Sequence, residues 1–116
     1  MALDTQNKKP AYLLGRLFAV LEKTQKDALG DIDATIKDRF FGVASATPKT
    51  VFPQLLRTSQ HHIAKAEYGG WNEKIMGEIV ADLDDFPAHL SLDEQGIFII
   101  GYYHQRQELY KARKES

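Results

Sequence analysis

Two adjacent histidines, His61 and His62, are the first residues whose chemistry could suggest catalysis or metal binding. Neighbouring side chains on a helix point about 100° apart, so these two rings cannot readily share one metal ion. A zinc helix of the HExxH type would place its second histidine four residues after the first, where this chain has Lys65. We therefore expect an ordinary surface or interfacial role for His62, and no metal.

Three carboxylates, Asp82, Asp84 and Asp85, are the second candidate, because clustered carboxylate oxygens can bind magnesium. They lie beside Phe86-Pro87 at an expected helix end, and no second acidic cluster of comparable density accompanies them. A solvated acidic turn is the better interpretation. The chain also lacks the P-loop, GxGxxG and GxSxG patterns. The sequence thus predicts a protein that is not an enzyme and uses no cofactor.

Basic side chains form two stripes on expected helices. Arg57, His61 and Lys65 are each four residues apart, so each turns only about 40° from the last around the helix axis. The first helix carries a second set on its expected polar side, Arg16, Lys23 and Lys26. If these helices lie side by side, the stripes would form one patch that binds nucleic-acid phosphates without a sequence code. Solvated lysines and arginines are common, so an ordinary charged surface remains the alternative.

Three tyrosines near the C-terminus are interleaved with basic side chains, a composition that can stack bases and hold phosphates. The residues are Tyr102, Tyr103 and Tyr110, with His104, Arg106 and Lys111. Tyr103 and Tyr110 are seven apart and would equally complete a core or an interface seam. Packing is the favoured interpretation.

The spacing of apolar residues predicts an all-α fold, a compact bundle of about five helices in a single domain over residues 1–116, with 1–9 loosely ordered. The first helix begins at Pro10 and stops at Gly30, and Asp31 caps the second, which ends in a loop of small residues, 44–46. Thr47 is expected to cap the third helix. No hydrophobic run is long enough to span a membrane.

The second half of the chain carries its own signals. Gly69-Gly70 is expected to end the third helix, and Trp71 to anchor the fourth in the core. Ser91 and Glu94 form a capping box at the start of the fifth helix. Gly96 and Gly101, in that last helix, are assigned to local packing rather than to a close helix crossing.

Charge is divided unevenly along the 116 residues, whose net charge is −1. Residues 1–65 contain ten Lys+Arg and six Asp+Glu, and residues 66–116 contain five and ten. A near-neutral total therefore does not exclude a polyanionic partner for one face. The absence of cysteine fits a reducing, cytoplasmic location.

Three segments carry a resemblance to a known family: YLLGRLFAVLEKTQKDAL, DRFFGVASATPKTVFPQLLRTSQHHIAK and FPAHLSLDEQGIFIIGYYHQRQELY. Together they resemble the C-terminal region of the large subunit of the type I-C CRISPR Cascade complex, over residues 12–110. The much longer N-terminal part of that subunit has no counterpart in this chain. In such systems the small subunit is similar to this region because it arises from a start site inside the large-subunit gene.

The resemblance implies a non-catalytic small subunit that supports the guide–target hybrid and binds the displaced non-target strand, stabilising the R-loop in antiviral defence. Its implied partners are the large and backbone subunits, the guide RNA–target DNA hybrid, displaced single-stranded DNA and a second copy of itself. Two alternatives stay open: a helical spacer that never touches DNA, and an isolated C-terminal domain of the large subunit. The residues expected to meet DNA rest on charge and helix geometry alone.

Overall fold

Five α-helices build the described part of the chain, which in this computed structural model is residues 3–30, 34–66 and 69–115, with side chains as far as Lys111. The helices are α1 (Pro10–Leu29), α2 (Ile36–Ala46), α3 (Pro48–Lys65), α4 (Gly69–Ala81) and α5 (Leu92–Glu115). No strand occurs within those ranges. The predicted all-α bundle is confirmed. None of the described helices is long and apolar enough to cross a membrane.

Helix α1 lies at the centre, and each of the other four helices packs against it. It begins at Pro10 and ends before Gly30, as predicted. Gly30 has a φ of 86°, and its N–H donates to the carbonyl of Lys26 at 2.8 Å. Every residue from 11 to 24 is buried. The helix is therefore enclosed on all sides, and the polar solvent-facing side expected from the sequence is wrong.

Helices α1 and α5 cross at two glycines. A Cβ on Gly15 would lie 2.0 Å from the carbonyl oxygen of Phe98, and one on Gly101 would lie 2.3 Å from that of Tyr12. Real side chains do not fit at such distances, so only glycine lets the two backbones approach this closely. The assignment of Gly101 to local packing is wrong, because the glycine that pairs with it is in α1 rather than in α5.

A single residue, Thr47, separates α2 from α3. Thr47 occupies the N-cap position of α3, as predicted, but its hydroxyl donates to the carbonyl of Val43 at 3.1 Å. It makes no cap bond to α3, so the expected side-chain cap is wrong. The small residues 44–46, expected in a loop, form the last turn of α2. Pro48 explains the break, since the residue before a proline disfavours the helical conformation. The expected cap Asp31 lies outside the described residues.

Helix α4 differs from its prediction at its start. Gly69 and Gly70 form its first turn, whereas α3 already ends at Lys65, so the expected helix stop is wrong. A Cβ on Gly69 would lie 2.0 Å from the carbonyl oxygen of Ile63, which explains a glycine there. Trp71 is 38% exposed and does not anchor the core. The inward face of α4 instead carries Asn72, Met76 and Ile79.

The capping box before α5 is confirmed. The N–H of Glu94 donates to Ser91 Oγ at 3.1 Å, and the N–H of Ser91 donates to Glu94 Oε1 at 2.8 Å.

The short segment before α1 also makes defined contacts. The N–H of Asp4 donates to the Tyr12 hydroxyl at 2.9 Å, and Lys8 pairs with Asp82 at 2.8 Å.

Candidate nucleic-acid interface

Helix α3 carries the basic stripe that the sequence predicts. Its buried face consists of Pro48, Val51, Phe52, Leu55 and Ser59. The opposite face exposes Arg57, His61 and Lys65. Eight residues separate the first of these from the last, which corresponds to about 12 Å along the helix axis. The three side chains thus form one exposed row that could lie along a few nucleotides of a phosphate backbone.

The charge of α3 is of one sign. Residues 48–65 contain Lys49, Arg57 and Lys65 and no aspartate or glutamate. Within the described ranges, neither Arg57 nor Lys65 has an ion-pair partner. Unpaired, exposed cations keep their full attraction for an anionic partner, and displacing their counterions adds to binding. The α3 stripe is therefore available to a polyanion.

The second expected stripe is not exposed. Arg16 is 7% exposed and Lys23 only 2%, so the solvent-facing placement expected for both is wrong. Arg16 Nε donates to Gln105 Oε1 at 2.8 Å, and Lys23 Nζ donates to Asp27 Oδ1 at 2.6 Å. Burial also lowers the pKa of Arg16 from its ordinary value. The physical reason is the central position of α1, whose polar face meets α5 and α4 rather than water.

Lys26, the last cation of that set, is partly buried at the end of α1. Its Nζ donates to the Tyr110 hydroxyl at 3.3 Å and lies 3.9 Å from Glu22 Oε2. Lys26 therefore belongs to the contact between α1 and α5. The α3 stripe is therefore exposed as predicted, but it does not form one continuous basic patch with the cations of α1.

Polar contacts between α1 and α5 are a feature that sequence reasoning missed. The Tyr102 hydroxyl donates to Glu22, and the Tyr12 hydroxyl lies 2.8 Å from His104 Nδ1. Burial and the bond to Glu22 raise the pKa of Tyr102 well above its ordinary value, because both disfavour the phenolate. The sequence did contain a signal for these contacts: α1 carries polar residues but has too few exposed positions to place them all in solvent.

The paired histidines and the acidic turn are the sequence's two candidates for a metal site. No group of three or more His, Cys, Asp or Glu side chains that could hold an ion occurs in the part of the chain that the structure describes. His62 lines a cavity of about 170 Å³ between α1, α2 and α3. Partial burial, and then the nearby His61 and Lys65, lower the pKa of His62 from its ordinary value.

The C-terminal tyrosines divide between the core and the surface. Tyr102 is fully buried, whereas Tyr103 is 48% exposed. An open groove of about 420 Å³ runs along α5, lined by Tyr103, Arg106, Gln107 and Tyr110. Packing, the favoured interpretation, therefore accounts for Tyr102 and for the partly buried Tyr110, which bonds Lys26 of α1, and leaves Tyr103 about half exposed.

Comparison with known proteins gives a match to a protein family. A family model described as CRISPR-associated protein (Cas_Csd1) matches residues 1–110, nearly the whole chain. A search of curated proteins finds no match. The matched range includes all five helices except the last residues of α5. It also contains the three segments on which the resemblance to a CRISPR subunit rests.

Proposed function

Because the chain belongs to the Cas_Csd1 family of CRISPR-associated proteins, we propose that it is a non-catalytic small subunit of a type I-C CRISPR surveillance complex. In this role it supports the hybrid of guide RNA and target DNA and holds the displaced strand, so that the R-loop persists. R-loop formation is a near-balanced exchange of one duplex for another, so a few phosphate contacts suffice to shift it.

The observation that carries this proposal is the α3 stripe of Arg57, His61 and Lys65. It is exposed, it lies on a helix without carboxylates, and its two strong cations have no ion-pair partner in the described ranges. The buried side of the same helix packs against α1, which fixes the stripe on a rigid element. Phosphate contacts of this kind carry no sequence code, as expected of a subunit that must accept any target.

The remaining parts of the proposal rest on the resemblance to a Cascade subunit. The partners are the large and backbone subunits of the complex, the guide–target hybrid, the displaced DNA strand and a second copy of the chain. The location is the cytoplasm, where the complex meets invading DNA. The chain itself would perform no cleavage.

The experiment measures R-loop formation by a guide-loaded type I-C complex assembled with and without this chain, with the internal start silenced so that the large subunit stays intact. We expect target DNA opening to fall sharply without the chain. Adding the double variant Arg57→Gln with Lys65→Gln should restore it only in part. The salt dependence of the contact should also weaken, by roughly 0.7 in the log–log slope for each cation removed.

A charge-matched control is Lys9→Gln with Lys74→Gln, which removes two exposed lysines outside α3. This variant should support R-loop formation as well as the unmodified chain does. Equal loss from both double variants would mean that net charge matters and the α3 stripe does not.

The rival function is a helical spacer that holds subunits together and never touches DNA. It predicts that opening depends on the chain but is indifferent to Arg57 and Lys65. The other alternative, an isolated domain of the large subunit, predicts that opening by the intact large subunit is unchanged when the chain is omitted. A ribosome-binding site just upstream of the codon for Met1 would count against that alternative.

A further inference from the structure

The outward face of α5 carries apolar and aromatic side chains that are not buried in the core of the bundle. The inward face already packs through Phe98, Tyr102 and Leu109, all of which are buried. Three further side chains point away from the bundle and are at least two-fifths exposed: Ile99, Ile100 and Tyr103. Exposed apolar groups clustered on one helix face mark a surface that meets a partner.

Tyr103 is held in a fixed position on this face. Its ring packs edge-on against Tyr102, with ring centroids 4.9 Å apart. Lys37, from α2, donates to the Tyr103 hydroxyl at 3.4 Å, and its Nζ lies 5.4 Å from the ring centroid. A ring that is anchored at its edge and hydroxyl yet 48% exposed presents a preorganised surface to a flat ligand.

The chemistry around Tyr103 is cationic and aromatic. Within the groove, Arg106 lies with its guanidinium carbon 5.0 Å from the centroid of the Tyr110 ring. None of the four residues that line the groove is acidic, and its volume of about 420 Å³ is in the range of ligand sites. The larger groove of about 530 Å³ beside Phe86 is instead lined by four carboxylates: Asp82, Asp84, Asp85 and Glu94. Of these two grooves, only the one on α5 has the charge to accept an anionic strand.

We infer that the groove between Tyr103 and Tyr110 binds unpaired bases of a single-stranded nucleic acid, with a base stacked on Tyr103. Arg106 and Lys37 then contact the phosphates on either side. Aromatic stacking accepts any base, since every base has a π-face, and it requires that the strand be unpaired. This inference rests on the proposed function and adds to it a site that recognises bases, separate from the phosphate-binding stripe on α3.

The test compares the affinity of the full chain for two labelled oligonucleotides of equal length, oligo-dT and an abasic strand, by fluorescence anisotropy at low salt. Both strands have the same phosphates, and only the first has bases. We expect oligo-dT to bind more tightly. Tyr103→Leu should weaken oligo-dT binding by about 5- to 150-fold and leave the abasic strand almost unaffected.

Two further variants control for the ring and for the position. Tyr103→Phe keeps the ring and should bind oligo-dT nearly as well as the unmodified chain. Trp71→Leu removes another exposed aromatic side chain, on α4, and should change neither affinity. Circular dichroism of each variant establishes that the fold is retained. An oligo-U arm identifies whether the bound strand is DNA or RNA, and a preference for either keeps the inference.

The inference is overturned if oligo-dT and the abasic strand bind equally, if neither strand binds, or if Trp71→Leu rather than Tyr103→Leu removes the base dependence. An apolar protein surface would then be the occupant of this face. None of these results decides the proposed function, because that depends on R-loop formation by the assembled complex and on Arg57 and Lys65. Conversely, if R-loop formation proves not to need this chain, base-dependent binding by the free chain would still support the inference.

Discussion

Burial determines the role of the charged side chains within α1. Arg16, Glu22 and Lys23 are all buried, and each bonds a specific partner in α5 or in its own helix. Lys23 and Asp27 form a buried charged pair, and removing one member would deprive the other of this ion pair, at a cost of about 3–5 kcal/mol. The buried cations Arg16 and Lys23 therefore act in the fold, whereas an exposed cation such as Arg57 can meet a ligand.

His62 predicts a dependence of stability on pH. Burial, His61 and Lys65 lower its pKa in the folded state below the ordinary value of 6.5. Above pH 6.5 both the folded and the unfolded states are neutral at this residue. As the pH falls from 6.5 towards the lower folded-state pKa, the unfolded state binds the proton first, so the free energy of unfolding decreases across that interval. Urea denaturation between about pH 8 and about pH 5 should show His62→Gln losing less stability than the unmodified chain.

The matched control for this effect is His89→Gln, an exposed histidine outside the helices. It should follow the unmodified chain across the same range. A constant difference between His62→Gln and the unmodified chain at every pH would contradict the assignment.

At the scale of helices, the α1–α5 crossing depends on the absence of two side chains. Gly15→Ala and Gly101→Ala each place a methyl group against a backbone carbonyl, so the helices must separate. We expect each to lower the free energy of unfolding by roughly 1–3 kcal/mol or more. Gly96→Ala, also in α5, meets no atom within 4 Å and should raise it by about 1 kcal/mol. Chemical denaturation of the three variants measures these changes. Destabilisation by Gly96→Ala as large as that by Gly101→Ala would show that the loss at Gly101 does not come from the helix crossing.

Helix capping offers a second comparison between two hydroxyls. Ser91→Ala removes the bond to the N–H of Glu94 and should cost about 0.5–2 kcal/mol of stability. Thr47→Ala removes only an exposed bond to the carbonyl of Val43 and should change stability by less than about 0.5 kcal/mol. Equal losses in urea denaturation would mean that Thr47 does stabilise the junction of α2 and α3.

The sequence predicts those elements whose signals are local. Pro10, Gly30 and the pair Ser91–Glu94 act through the backbone of their own turn, and each is confirmed. The same is true of the α3 stripe, because its four-residue spacing is a property of one helix. Arg16 and Gly101 could not be placed, since their surroundings depend on which helix lies across from them. The packing of α5 and α4 on α1 turns a polar stripe into a buried one.

The whole molecule is organised around α1, and this has consequences for its charge. The basic half of the sequence does not become a basic half of the surface, because α1 buries Arg16 and Lys23. The acidic residues of α4 and the following turn, such as Glu73, Glu78 and Asp84, are exposed. The α3 stripe and the α5 groove are therefore separate cationic features on a molecule whose net charge is −1.

Unfolding should be a single cooperative transition, because α2, α3, α4 and α5 each pack against α1. The radius of gyration, 13.1 Å, is also close to the roughly 13 Å of one compact domain of this length. Circular dichroism reports all five helices, whereas fluorescence reports the one tryptophan, Trp71, in α4. In urea the two curves should share one midpoint. A paired variant, Trp71→Phe with Tyr103→Trp, moves the fluorescent probe to α5, where fluorescence and circular dichroism should again coincide. If fluorescence from α4 changes at lower urea than circular dichroism does, while fluorescence from α5 does not, α4 unfolds separately and the single-domain prediction is wrong.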